Sequence, residues 1–412
     1  MADVLYYNGD VVPNLVAQKH TDPLLGRGYD YDVCNEEVLL TRLSVKNGKL
    51  TLPDGMSYRI LVLPDSTRMP LEVMRKISSL VKAGATIIGP KPLSDSGLKN
   101  YPLCDHELAA LANQLWGKTS EKLRLNTYGN GRVFFKESIR NVLLNDGIKP
   151  DFECSRNADD LDFIHRSTPE AEIYFVANKR GKTILSDCTF RIKSRSPEIW
   201  DPVKGTIRRQ VNFTIADGRV QVPLKFEAFQ SWFIVFPKSS SAAVKKTASN
   251  YPDLKPVQEL SGPWQVKFDA RWGGPESVKF DSLQDWSLHS DQRIRYFSGT
   301  AIYTKQFESA LSPDKNTAVY LDLGTVKNIA EVTLNGKKLG IIWTAPWQVN
   351  IAPALKQGSN ELKIEVVNLW PNRLIGDAAL PKEQRLTNTN ISFKKEDKLL
   401  ASGLLGPVVI KK

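Results

Sequence analysis

An α/β region followed by two all-β regions is the fold class that this 412-residue sequence predicts, and three observations predict it. Short apolar runs alternate with helical spacing up to about residue 150. Strand-like runs broken by turn signals follow to about residue 240. A second all-strand region, rich in tryptophan, fills the remainder. The expected division is 1–150 for the α/β part, 151–240 for a small β-sandwich, 241–255 for a linker and 256–412 for a jelly-roll sandwich.

In the first region, Val4 to Tyr7 reads as a strand. Asn35 to Leu43 reads as a helix, with Leu39 and Leu43 one turn apart and Glu36 and Glu37 at the positive end of its dipole. Arg59 to Leu63 is a nearly continuous apolar run, as a strand covered on both faces requires. Pro70 then opens a helix over Leu71 to Ala83, whose stripe is Val73, Ile77, Leu80 and Val81, and Gly84 stops it. Ala85 to Gly89 is a strand, His106 to Trp116 a helix, Arg132 to Phe135 a strand, and Ser138 to Asn145 a helix ended by Gly147. Strand, helix, strand, helix predicts a doubly wound parallel sheet.

The second region reads as strands at Ile173 to Ala177, Cys188 to Ile192, Val211 to Ile215, Val220 to Leu224 and Ser231 to Phe236, with turns at Lys179–Gly181 and Ala216–Gly218. Lys238 to Asn250 is Ser-, Ala- and Lys-rich and reads as a flexible linker. The third region has its clearest strands at Val319 to Leu323, Ile329 to Leu334, Trp347 to Ile351 and Leu362 to Val367. Asn335–Gly336 between Leu334 and Leu339–Ile342 signals a hairpin.

Composition excludes several classes. With 41% hydrophobic and 25% charged residues the chain is neither collagenous nor disordered. No apolar run approaches the roughly 18–20 residues of a membrane helix. The net charge of +11 admits an anionic partner, but the cations are dispersed among acids and no nucleic-acid-binding signature accompanies them. The one basic pair, Lys245–Lys246, falls in the linker. Neither nucleic acid nor membrane is therefore expected as a partner. Four cysteines, Cys34, Cys104, Cys154 and Cys188, show no CxxC spacing and do not form a disulfide scaffold, so burial as small apolar residues is expected. Met1 to Tyr7 has no basic segment ahead of its apolar stretch, so the chain as written is expected to be cytoplasmic.

Chemical motifs are sparse. Asp30 and Asp32 stand two apart in GRGYDYDVCNEE, which in an extended segment puts them on one face about 7 Å apart. That lies within the roughly 6.5–9.5 Å used by inverting glycosidases, as any such extended pair would. Either this pair lines a sugar or ion site, or Asp32 or Asn35 caps the next helix while Asp30 is solvated. The turn after Tyr7 lacks GxGxxG, and no cysteine follows the ATIIG strand. Cys104 and His106 open a helix, which argues against a reactive dyad. The four histidines are too scattered for a zinc motif. Six of the nine tryptophans lie in the third region, where they either fill the core or stack on sugar rings. Trp343, Trp347 and Trp370, with Asn372, Arg373 and Asp377 in one loop, are the sugar-binding candidates.

Several long motifs carry a resemblance. Gly28 to Leu43 (GYDYDVCNEEVLLTRL), Leu52 to Pro64 (LPDGMSYRILVLP), Leu80 to Pro92 (LVKAGATIIGPKP), Trp200–Asp201–Pro202 with Gly205, Val319 to Gly340, Val366 to Asp377 (VVNLWPNRLIGD) and Ser402 to Val408 (SGLLGPV) are similar to the region that follows the catalytic barrel in glycoside hydrolase family 106, the α-L-rhamnosidases. The last region also resembles the galactose-binding-like jelly roll of family 2 β-galactosidases, and the first an amidotransferase-like, flavodoxin-like domain. In the family an N-terminal (β/α)₈ barrel holds the two catalytic carboxylates and a calcium-linked sugar site. This sequence shows no eightfold alternation over the roughly 200–250 residues a barrel needs.

The resemblance implies inverting hydrolysis of α-L-rhamnosides, and so polysaccharide degradation, by a complete, periplasmic or secreted protein. It implies a non-catalytic, carbohydrate-binding role for this truncated chain, with a rhamnose-containing glycan and a separate barrel-bearing polypeptide as partners. No cofactor or metal is expected in this chain itself, and calcium only in the complete protein. Two alternatives remain: a standalone carbohydrate-binding protein, and a glycosidase using Asp30 and Asp32.

Overall fold

Both faces of the Val4–Tyr7, Ile60–Val62 and Thr86–Ile88 strands are apolar, and the structure, a computed structural model, covers both. It describes residues 1–9, 24–118, 124–209, 212–240, 250–251, 253–312 and 318–412. These fall into two compact units, Met1–Asn250 and Tyr251–Lys412. The expected α/β region and first sandwich thus share one unit. Of the expected linker, residues 241–249 and 252 lie outside the described residues, as do the latter part of the turn after Tyr7 (residues 10–13), Val211, His20 and the Lys245–Lys246 pair. The chain is mostly β, with few helices.

The first sheet runs in the order Tyr31–Cys34, Val4–Tyr7, Ile60–Val62, Thr86–Ile88, Gly131–Phe134, Leu125–Tyr128. The first five strands are parallel and the last is antiparallel. Strand alternation sorts the core. Leu5, Leu61, Ile87 and Val133 meet the Leu71–Ala83 and Leu103–Trp116 helices, while Val4, Tyr6, Ile60, Val62 and Ile88 meet the Ile139–Asn145 helix. The Leu71–Ala83 helix starts after Pro70 and stops at Gly84, whose φ is +121°.

Several expectations change; the strand expected at Cys188–Ile192 is Ile184–Phe190, and two further changes fall in the α/β region. The Asn35–Leu43 helix is a short helical segment ending in a π turn over Val38–Arg42; Asn35 Oδ1 accepts the Val38 N–H, so Asn35 is the cap. The antiparallel Leu125–Tyr128 strand lacked a signal because it is largely exposed and carries no apolar alternation.

The second half of this unit is two facing antiparallel sheets. One has the order Phe152–Cys154, Ile184–Phe190, Arg219–Phe226, Thr214–Ala216. The other has the order Leu161–Ser167, Ala171–Asn178, Ser231–Pro237, Glu198–Asp201, Thr206–Arg209. Asp217 and Gly218, with φ of +53° and +70°, close the Ala216–Arg219 hairpin.

Tyr251–Lys412 encloses its own core between a six-stranded and a four-stranded sheet. The six-stranded order is Val278–Phe280, Trp264–Phe268, Thr300–Ser309, Gly358–Val367, Ile329–Leu334, Lys337–Ile342. Asn335 and Gly336 take φ of +51° and +77° between the last two strands of the chain hairpin, the geometry that Asn-Gly supplies at little cost. Trp264 and Trp286 are core residues, and the Trp286 indole N–H donates to the Tyr303 hydroxyl at 2.6 Å.

Candidate functional site

The Asp30 and Asp32 side chains enter different surroundings. Asp32 lies in the Tyr31–Cys34 strand opposite Leu5, on the helix-covered side with Cys34, and accepts the Tyr58 hydroxyl at 3.0 Å. This contact and burial push the Tyr58 phenol above its ordinary range. Asp30 instead lines a cavity of about 460 Å³ within the first unit, beside Arg27, Tyr29, Arg140, Phe152 and Asp162. Burial raises the Asp30 pKa, against the Tyr31 N–H that it accepts at 2.9 Å. The solvated Asp30 expected from the sequence is therefore corrected to a half-buried one, and Asp32 caps no helix. Around the cavity, Arg27 pairs with Asp159 and Lys179 with Asp162 at 2.9 Å, so the other acids there are matched by cations. Among the described residues no group of three or more His, Cys, Asp or Glu side chains could hold a metal ion. Cys104 is buried and His106 exposed on their helix, which removes a dyad between them.

The second unit gathers aromatic groups at one end of its six-stranded sheet. Ala330 pairs with Ile342 and Ile329 with Val367, so the segments leading to Trp343 and to Leu369–Trp370 leave the sheet at the same end. Their strands are separated by one intervening strand, a backbone separation of about 10 Å. Trp343 is 57% and Trp370 47% exposed. The Trp370 ring meets Trp272 edge to face, centroids 4.9 Å apart. Ile329 and Leu369 are exposed at the same end. Trp347 packs partly against the core. Trp272 was missed as a partner because nearly a hundred residues separate it from Trp370 and nothing in the sequence links them.

The polar residues of the Trp370 loop are turned inward. Asn372, Arg373 and Asp377 are 1%, 7% and 2% exposed. Asn372 donates to Leu400 O at 2.7 Å and Ser402 Oγ at 2.9 Å and accepts the Leu400 N–H. Arg373 pairs with Asp377 across one turn at 2.9 Å, and Asp377 Oδ2 accepts both the N–H and the hydroxyl of Thr387. These bonds fix the Pro371–Ala378 helix and hold Trp370 at its start facing outward. The structure thus places these three candidates where they position the aromatic end rather than offer hydroxyl-binding groups at its surface. What this end can do chemically is stack on the apolar face of a sugar ring.

Residues 1–215 match the family model described as alpha-L-rhamnosidase, glycoside hydrolase family 106. Residues 286–396, which include Trp343 and Trp370, match the glycosyl hydrolase 2 galactose-binding domain-like model. The rhamnosidase from Novosphingobium sp. PP1Y superposes with a TM-score of 0.89 at 30% identity, over 100% of this chain and 39% of its own. A curated Formosa agariphila protein named "Putative beta-glucuronidase" is 26% identical over all of this chain and 55% of its length. The chain therefore spans about half or less of these relatives. On the match over more than half of its length, this chain belongs to the alpha-L-rhamnosidase family, glycoside hydrolase family 106.

Proposed function

We propose that this chain is the accessory, carbohydrate-binding portion of an α-L-rhamnosidase-like glycoside hydrolase and does not cleave glycosides by itself. The observation that carries this reading is the exposed Trp343 and Trp370–Trp272 end of a galactose-binding-like sandwich, set against an Asp30 and Asp32 that do not share one cleft. An inverting pair must flank one glycosidic bond with room for a water. Here one carboxyl faces a cavity and the other holds a tyrosine hydroxyl.

On this reading the first domain, 1–150, is an amidotransferase-like, doubly wound scaffold. Five parallel strands with helices on both faces support that, and Gly89–Pro90–Lys91 after the Thr86–Ile88 strand bring no nucleophile. Residues 151–240 form the small sandwich and 256–412 the sugar-facing jelly roll. The catalytic carboxylates and calcium belong to a barrel elsewhere in the complete, periplasmic or secreted enzyme, and rhamnose-containing glycans are the ligands.

The test has two parts. The chain alone is expected to give no turnover of p-nitrophenyl α-L-rhamnoside, and turnover lost on Asp32→Asn would instead establish the glycosidase alternative. On a glycan array the chain is expected to retain rhamnose-containing glycans, with affinity reduced about tenfold by Trp343→Ala or Trp370→Ala, the equivalent of ~1.4 kcal/mol of lost ring stacking. Binding unaffected by both variants would refute the aromatic site.

A further inference from the structure

Cys154 and Cys188 stand directly opposite each other on the antiparallel Phe152–Cys154 and Ile184–Phe190 strands. Their sulfurs are 3.7 Å apart. Both are free thiols here. The ladder bonds flanking them run from the Ser155 N–H to Asp187 O at 3.0 Å and from the Arg191 N–H to Asp151 O at 2.9 Å. Such bonds recur at every second residue, which puts Cys154 and Cys188 at a non-hydrogen-bonded position of the ladder. Opposed Cα atoms at such positions are about 4.5 Å apart, inside the roughly 4.4–6.8 Å span of a disulfide. Side chains also lie closest there. Access is one-sided: Cys188 is buried among the sandwich residues, whereas Cys154 is half-exposed and lines the 460 Å³ cavity.

We propose that Cys154 and Cys188 are an oxidisable pair that closes to a cross-strand disulfide on exposure to a small-molecule disulfide such as oxidised glutathione. The Cys154 thiolate attacks one sulfur of the small disulfide and expels a first thiolate. The Cys188 thiolate then attacks Cys154 Sγ, forms the protein disulfide and expels the second thiolate. The two cysteine protons pass through solvent to the departing thiolates. Two protein thiols are oxidised and one small disulfide is reduced to two thiols. The product covalently fixes the strand bearing Phe152 and Glu153, which form part of the cavity wall that Asp30 faces. Burial holds the Cys188 thiol well above its ordinary pKa.

The test incubates the full native chain in glutathione buffers from reducing to oxidising, and reads intact mass, free thiols and non-reducing peptide maps. The expected product lacks two hydrogens, has lost two of its four thiols, and yields linked Cys154 and Cys188 peptides with Cys34 and Cys104 still free. It should also melt at a higher temperature, because the bond closes a loop between residues 34 apart in sequence. Cys154→Ser, at the half-exposed site, should abolish the linked product and leave the far-ultraviolet circular dichroism unchanged. Cys154 and Cys188 peptides that stay unlinked at the oxidising end, or a glutathione adduct on Cys154 that persists with Cys188 free, would overturn the proposal.

Discussion

At the scale of the residue, burial decides which polar side chains can act outward. Asp151 is inside the first unit, where burial opposes its charge. The His165 ring at 2.8 Å, the Arg191 guanidinium and the Tyr174 hydroxyl at 2.8 Å outweigh that and hold its carboxyl below the usual range. His165 stacks on Tyr174 at 3.9 Å and reaches Glu172 with its second nitrogen at 3.2 Å. Arg191 also donates to Asp3 of the α/β region at 2.8 Å, so this network fastens that sheet to the sandwich. Asp30 is the reverse case. Its folded pKa is raised, chiefly by burial, so its ionisation costs folding stability above the unfolded value near 3.8, and nothing is lost when it is protonated. Asp30→Asn keeps an acceptor for the Tyr31 N–H and removes that cost. The variant is expected to melt higher than the parent at pH 7 and equally below about pH 2.5, where both carry an uncharged side chain. Equal melting at both pH values would show that Asp30 is not desolvated.

At the scale of the element, the boundaries that sequence reasoning set well are those with a chemical stop. Pro70 and Gly84 bracket the Leu71–Ala83 helix, and Asn335–Gly336 turn their hairpin with positive φ. Where no such residue exists the boundary moved: the Leu103–Trp116 helix begins three residues before His106, and the segment after Asn35 ends in a π turn. Gly131, at the start of its strand, illustrates a requirement that only packing reveals. A Cβ there would clash with the backbone carbonyls of Val81, near the end of the Leu71–Ala83 helix, and of Ala85, just before the Thr86–Ile88 strand. Gly131→Ala should therefore lower stability in urea by about 2–3 kcal/mol, as overpacking does. Gly336→Ala, with open space around its Cβ but φ of +77°, should cost only about 1 kcal/mol. Similar losses from the two variants would contradict the contrast between a clash and a conformational preference.

At the scale of the molecule, the core of Tyr251–Lys412 is drawn entirely from residues between Leu260 and Ile410. A segment that buries its own apolar surface needs no help from the rest of the chain. A protein comprising residues 251–412 alone is expected to unfold in one cooperative thermal transition and to retain the glycan binding attributed to Trp343 and Trp370. A broad, non-cooperative melt would show that the core is insufficient by itself. The +11 charge, which could have pointed to an anionic partner, is widely matched by acids in the first unit, as in Arg180 with Asp160 at 2.7 Å and Arg75 with Glu107 at 2.6 Å.

Periodicity and turn chemistry, both local, were sufficient for the parallel sheet and for about half of the strands of the two sandwiches, while the family was carried by the resemblance of the longer motifs. The hydrophobic period reports which face of an element is buried, and Gly, Pro and Asn report where the chain must turn. Local pattern does not report which distant side chains meet. The Trp272–Trp370 pair, the Cys154–Cys188 pair, the separation of Asp30 from Asp32, and the inward turn of Asn372, Arg373 and Asp377 were decided by the tertiary structure. A side chain's chemistry depends on its exposure and partners, and both arise only when elements far apart in sequence pack together.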